Sequence, residues 1–126
     1  MRFVFVMQHQ PTIEQLESAG KIGDIVQLED KKLLNVPDDP ALGRDFFVKR
    51  AEEIEVALGG FSSDDTVQAM GQQQLATAIN ARAKKTGAVL VESVTARESV
   101  EVTQPDGSVK KENIFRFKGF RPMYEF

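Results

Sequence analysis

The chain has no cysteine and no tryptophan, one histidine, one tyrosine and five prolines among its 126 residues. Without cysteine there can be no disulfide framework, no thiolate metal site and no cysteine nucleophile, and an intracellular location is permitted. Any histidine-based metal site or Ser-His-Asp triad would depend on His9 alone. Long apolar runs are missing too. Phe3-Val-Phe-Val-Met7 is too short for a membrane span and stops at Gln8-His9-Gln10 without a signal peptide's longer apolar region. It reads as a buried strand, with no membrane partner and a cytoplasmic location expected. Neither a GxGxxG fingerprint nor a GxxxxGK[ST] loop occurs, so a dinucleotide and Mg-ATP lose support and no cofactor is expected.

Positive charge is in the minority, with 16 basic against 19 acidic residues and a net charge of -3. That balance argues against non-specific binding of long nucleic acid, which grows with the number of phosphates neutralised. The basic residues cluster late: nine lie between Arg82 and Arg121 against five acidic ones, so the basic side of the molecule is encoded in the last third.

The length fits a single domain, residues 1–126. Along it, strand-like and helix-like stretches alternate. The run Phe3–Met7 is followed by Thr12-Ile-Glu-Gln15, a capping box that starts a helix ending at Gly20. Asp24–Leu28 reads as a second strand, and Asn35-Val-Pro-Asp-Asp-Pro40 as a loop leading to a helix over Ala41–Leu58. Asp65–Met70 reads as a third strand, followed by a helix to Lys85 that Gly87 closes. Ala88–Val94 reads as a fourth. This order favours an α/β fold with a doubly wound, mostly parallel sheet. Ser99–Thr103 and Val109–Phe117, joined by Pro105-Asp-Gly-Ser108, predict a C-terminal antiparallel β-hairpin.

Ligands of open α/β sheets bind beyond the carboxyl ends of the parallel strands. Two stretches fall there: Gln8-His-Gln-Pro-Thr12, and Gly71-Gln-Gln-Gln74. Each enters a helix, whose free N–H groups and positive dipole end suit an anion, and Gly71 permits close approach. The same residues have plainer readings: Gln72 to Gln74 as a helix start that caps itself, Thr12 and Gln15 as a cap, His9 as a hydrogen-bonded spacer. Asp38-Asp39 and Asp64-Asp65 sit in turns where aspartate serves local hydrogen bonding, so no metal site is expected. The tail aromatics, Phe115 and Phe117 among them, suit base stacking or packing.

Four stretches carry a family resemblance: Phe3–Gln15, Gly71–Thr77, the fourth strand running into Thr95-Ala-Arg97-Glu-Ser99, and Asp106–Lys111 with Phe115-Arg116 and Phe120-Arg121. In their order and spacing the chain resembles, over nearly its full length, the branch numbered twenty of the Csx group of CRISPR-associated accessory proteins of type III systems. Gln8 stands where a Ser is usual in that pattern, Gln73 where an acidic residue is common, and Phe117 where a His often follows the Phe-Arg pair. The resemblance implies a CARF-like, Rossmann-like domain and a ring nuclease that opens cyclic oligoadenylate, with the cyclic tetramer as the expected ligand and no metal in the reaction. It further implies catalytic roles for His9 and Gln72. Thr12, Gly71, Gln73, Gln74, Thr77, Arg97, Arg116 and Arg121 would be the substrate-binding set, and a homodimer would match the ring's symmetry. A protein that sequesters the ring uncut, and an interaction subunit docking a partner through its aromatic hairpin, are the alternatives.

Overall fold

Phe3, Val4, Phe5, Val6 and Met7 are all fully buried, which requires cover on both faces of the strand they form. The computed structural model, which describes residues 1–126, supplies that cover. Its elements are β1 (Arg2–Val6), α1 (Ile13–Gly20), β2 (Asp24–Gln27), a 3-10 turn (Lys31–Leu34), α2 (Arg44–Ala57), β3 (Asp65–Ala69), α3 (Gln73–Lys85), β4 (Val89–Thr103) and β5 (Val109–Pro122). The five strands form one sheet in the order β2-β1-β3-β4-β5. The first four are parallel, and β5 runs antiparallel to β4.

The alternation of side chains along β1 divides the core. Val4 and Val6 pack with Ala51 and Ile54 of α2 and with Leu75, Ile79 and Ala83 of α3. Phe3, Phe5 and Met7 pack with Ala19 of α1, Val91 of β4 and Phe120 of β5. One helix therefore covers one face and two cover the other. Each fully buried phenylalanine contributes about 1.5–3 kcal/mol. The chain leaves β1 for β2 on one side and later returns to β3 on the other, so the loops after β1 and β3 part toward opposite faces, the arrangement at which open α/β sheets bind ligands.

Two expectations need correction. The helix expected from Ala41 begins at Arg44, because the Asp39 carboxylate and carbonyl take the Ala41 and Leu42 amides in a turn and Gly43 then serves as the helix cap. The fourth strand and the first hairpin strand, expected as separate pieces, are one strand of 15 residues. It pairs with β3 only at Thr66↔Val89 and Val67↔Leu90, and then runs on with β5 alone. Beyond Ser93 this two-stranded arm rises past the carboxyl edge of the sheet for about 30 Å at the usual rise per residue. The predicted turn joins its strands, with Gly107 at φ 86° and the Asp106 carboxylate accepting the Ser108 amide.

Candidate functional site

The loop after β1 is fastened from below. Lys31 Nζ donates to the Met7 carbonyl at 2.5 Å, placing a cation at the strand end, while Gln8 Nε2 donates to the Lys31 carbonyl and to Asn35 Oδ1. The capping box forms as the sequence predicts: the Gln15 amide donates to Thr12 Oγ1 at 3.2 Å, and the Thr12 amide donates to Gln15 Oε1 at 2.8 Å. The Thr12 hydroxyl is thus engaged at the start of α1. His9 is exposed and takes no part in the bonds that hold this loop.

The loop after β3 is tied to β1 by the Met70 amide on the Val6 carbonyl. Gly71 follows at φ 134°, a conformation that side chains disfavour, and nothing lies within 4 Å of where a β-carbon would stand. Gln72 caps α3, its Oε1 accepting the Leu75 amide at 2.9 Å and its carbonyl accepting the Ala76 amide. The amides of Gln73 and Gln74 remain free at an exposed helix start. The Thr77 hydroxyl donates back to the Gln73 carbonyl. Gln74 and Thr77 line a groove of about 300 Å³ between α2 and α3, together with Arg44, Phe47, Arg82 and Lys85.

Beneath this edge lies a polar cluster that the sequence pattern did not disclose. The Ser93 hydroxyl sits between Gln68 and Gln15, donating to Gln68 Oε1 at 3.0 Å and accepting from Gln15 Nε2 at 3.1 Å. Both glutamines are buried. The cluster links β3, β4 and the first turn of α1, and so ties the helix that follows the His9 loop to the sheet.

The predicted arginines separate by face. Arg116 pairs with Glu98 at 2.6 Å and Arg121 with Glu92 at 3.1 Å. Hydrogen bonds from Lys118 first, and then from Arg116, lower the Glu98 carboxyl below its ordinary range. By the strand register these pairs lie on the face that Leu90 shares with α2 and α3. Arg97 lies on the opposite side with Val91 and Ser93, the side of α1. Of the seven arginines, Arg44 and Arg97 alone have no carboxylate partner. His9, Thr12 and Arg97 thus belong to the α1 side of the sheet, and Gly71, Gln72, Gln73, Gln74, Thr77, Arg116 and Arg121 to the α3 side. Lys31 and Arg44 are additional cations near the edge, and only the fold reveals them, since neither stands in a motif. Nowhere do three or more histidine, aspartate or glutamate side chains group as metal ligands, and no helix is long and apolar enough to cross a membrane.

No curated protein and no solved structure matches the chain. A family model does, described as "Uncharacterized protein MJ1673 family", and the match runs over residues 1–121. A match over nearly the whole sheet and its arm identifies the chain as belonging to the MJ1673 family.

Proposed function

We propose that this protein is a metal-independent ring nuclease for cyclic oligoadenylate of type III CRISPR signalling, a CARF-type Rossmann-like domain acting as a homodimer in the cytoplasm. The observation that supports the reading is the carboxyl edge at the reversal of strand order. There, two loops enter helices, the Gln73 and Gln74 amides are free, Gly71 leaves open space, and Lys31, Arg44 and Arg97 bring positive charge.

In the proposed reaction the ribose 2′-oxygen attacks its own 3′-phosphorus, the bond from phosphorus to the 5′-oxygen breaks, and a 2′,3′-cyclic phosphate remains. The 2′-hydroxyl proton passes to the His9 imidazole, and the leaving 5′-oxygen takes up a proton from water. The free amides and Arg97 stabilise charge on the phosphoryl oxygens. Alignment of attacking and leaving oxygens contributes on the order of 7 kcal/mol in well-oriented systems. Gln72 would orient the 2′-hydroxyl through its amide nitrogen, the oxygen being held by the cap.

One observation favours the second reading, a protein that binds the ring without cutting it. His9 has no partner to orient it, and Gln72 is engaged as a cap. The deciding experiment mixes catalytic amounts of protein with cyclic tetra-adenylate in EDTA and follows products by liquid chromatography and mass spectrometry. Linear fragments ending in 2′,3′-cyclic phosphate over many turnovers support the nuclease. Intact ring with tight calorimetric binding supports sequestration, and no binding overturns both.

A further inference from the structure

The arm contains a row of aromatic rings that a regular strand would not produce. Phe117 and Phe120 are three residues apart, a spacing that puts side chains on opposite faces of a strand. The register shifts here, with Val94 opposite Gly119 and Thr95 opposite Phe117, so Lys118 is an extra, bulged residue. Gly119, at φ 139°, accommodates the bulge. Its effect is to return both rings to one face, where they meet edge to face at 5.0 Å. Phe120 in turn packs on Phe3 at 4.6 Å and Phe5 at 6.3 Å. Phe115, two residues before Phe117, extends the row outward. It is 72% exposed and stands opposite Arg97, whose guanidinium has no carboxylate partner.

We propose that the face of the arm bearing Thr95, Arg97, Phe115 and Phe117 is a stacking platform for a purine base of a short single-stranded, RNA-like ligand. It deepens, and rests on, the reading of the carboxyl edge as an oligoadenylate site. The row is anchored in the core at its inner end, through Phe117 on Phe120 and Phe120 on Phe3. An exposed ring beside an unpaired cation matches the chemistry of base stacking with an adjacent phosphate. The two faces of the arm also differ in a way that selects the occupant. Val94, Ala96, Val100, Val102 and Ile114 lie on the other face, which is the one suited to a protein partner. Beyond Phe115 the aromatic face turns polar, with Ser99 opposite Asn113 and Glu101 opposite Lys111, and its one outer aliphatic side chain, Val109, lies apart at the turn end of the arm. Arg116 and Arg121, expected among the substrate-binding residues, lie on the aliphatic side in ion pairs, so the platform's cation is Arg97.

The test uses the full chain with two probes: cyclic tetra-adenylate by calorimetry, and a linear RNA hexanucleotide with a central 2-aminopurine by fluorescence. Wild type is compared with Phe115→Leu, Arg97→Gln and, as the opposite-face control, Lys110→Gln. The expected result is 2-aminopurine quenching by wild type, affinity reduced about tenfold in Phe115→Leu, and a salt dependence lowered by about one phosphate contact in Arg97→Gln. Affinity in Lys110→Gln and all melting temperatures stay unchanged. Ring binding that Phe115→Leu leaves intact overturns the platform while the ligand reading stands. Loss of ring binding in wild type with quenching of the linear probe overturns the ligand reading while the platform stands. Dissociation of a wild-type dimer by Phe115→Leu in sedimentation, with affinity unaltered, overturns the platform in favour of a protein contact.

Discussion

The two edges of the parallel sheet are built on opposite terms. At the amino edge Arg2 grips Asp65 through two hydrogen bonds of 2.9 and 2.8 Å, and gives its remaining donors to the Leu58 and Gly60 carbonyls. The Ser62 amide completes the carboxylate. Asp65 is 1% exposed, and this pairing of a buried charge closes β1, β3 and the end of α2 together. At the carboxyl edge the polar groups outnumber their partners: free amides at Gln73 and Gln74, an unbonded imidazole at His9, unpaired guanidinium groups at Arg44 and Arg97. The contrast indicates that order is secured at one end, which leaves the other free to hold polar groups toward solvent.

The largest effect is expected from breaking the closed edge. Asp65→Asn leaves the Arg2 guanidinium without its counter-charge and is expected to lose about 3 kcal/mol or more in urea denaturation, the scale for removing one partner of a buried pair. The pH dependence has a definite sign. Hydrogen bonds from Arg2 hold the Asp65 carboxyl below its ordinary value, with the Ser62 amide adding to them and burial opposing. The folded state then binds fewer protons than the unfolded state, so the pair's contribution is complete above the ordinary carboxylate range, near pH 3.9, and disappears as pH falls through the lower folded value. Urea midpoints between pH 6 and 2 should fall less steeply in Asp65→Asn than in wild type; parallel curves would place the acid sensitivity elsewhere.

Next in size is the cluster beneath the open edge. Ser93→Ala leaves two buried amides short of a partner, and about 1–3 kcal/mol is expected to be lost. Ser93→Thr, which keeps the hydroxyl, should recover part of this. If both variants were equally stable, the hydroxyl would have no share in holding α1 to the sheet.

How far these features are legible in sequence depends on the distance over which they act. The capping box at Thr12 and Gln15, the positive-φ glycine at Gly87 and the Asp106-Gly turn are local, and each forms as its residues predict. The alternation of strands and helices also gives the mostly parallel sheet with its antiparallel hairpin. Arg2 and Asp65 are 63 residues apart and Gln15 and Ser93 are 78 apart, so no periodicity announces either contact. The continuity of β4 was hidden because Ser93, Thr95 and Glu98 interrupt the apolar run, although a strand that leaves the sheet tolerates them. At the candidate site the sequence located both loops. It did not separate Arg97 from Arg116 and Arg121, because a face is assigned by register, and the bulge at Lys118 shifts that register.

Smaller effects are expected at the open edge. Gln72→Ala should cost about 1 kcal/mol by loss of the cap. Gln72→Asp is more telling: aspartate is a good cap beside a helix dipole, so stability should hold or rise, while its charge at this edge should weaken binding of cyclic tetra-adenylate by tenfold or more. Equal losses of stability and affinity in both variants would reduce Gln72 to a cap.

The smallest effect on stability is expected at the residue with the largest proposed effect on turnover. His9 is exposed and supports none of the loop's bonds, so His9→Ala should stay within about 0.5 kcal/mol of wild type in urea. If the imidazole removes the 2′-proton, single-turnover cleavage of cyclic tetra-adenylate should fall by about a hundredfold or more with affinity little changed. A loss of affinity with an unaltered single-turnover rate would make His9 a contact residue. Full turnover would remove it from the chemistry. Because the loop is fastened through Gln8, Lys31 and the Thr12 cap, and not through His9, any of these results reports on the imidazole itself and not on a collapsed edge.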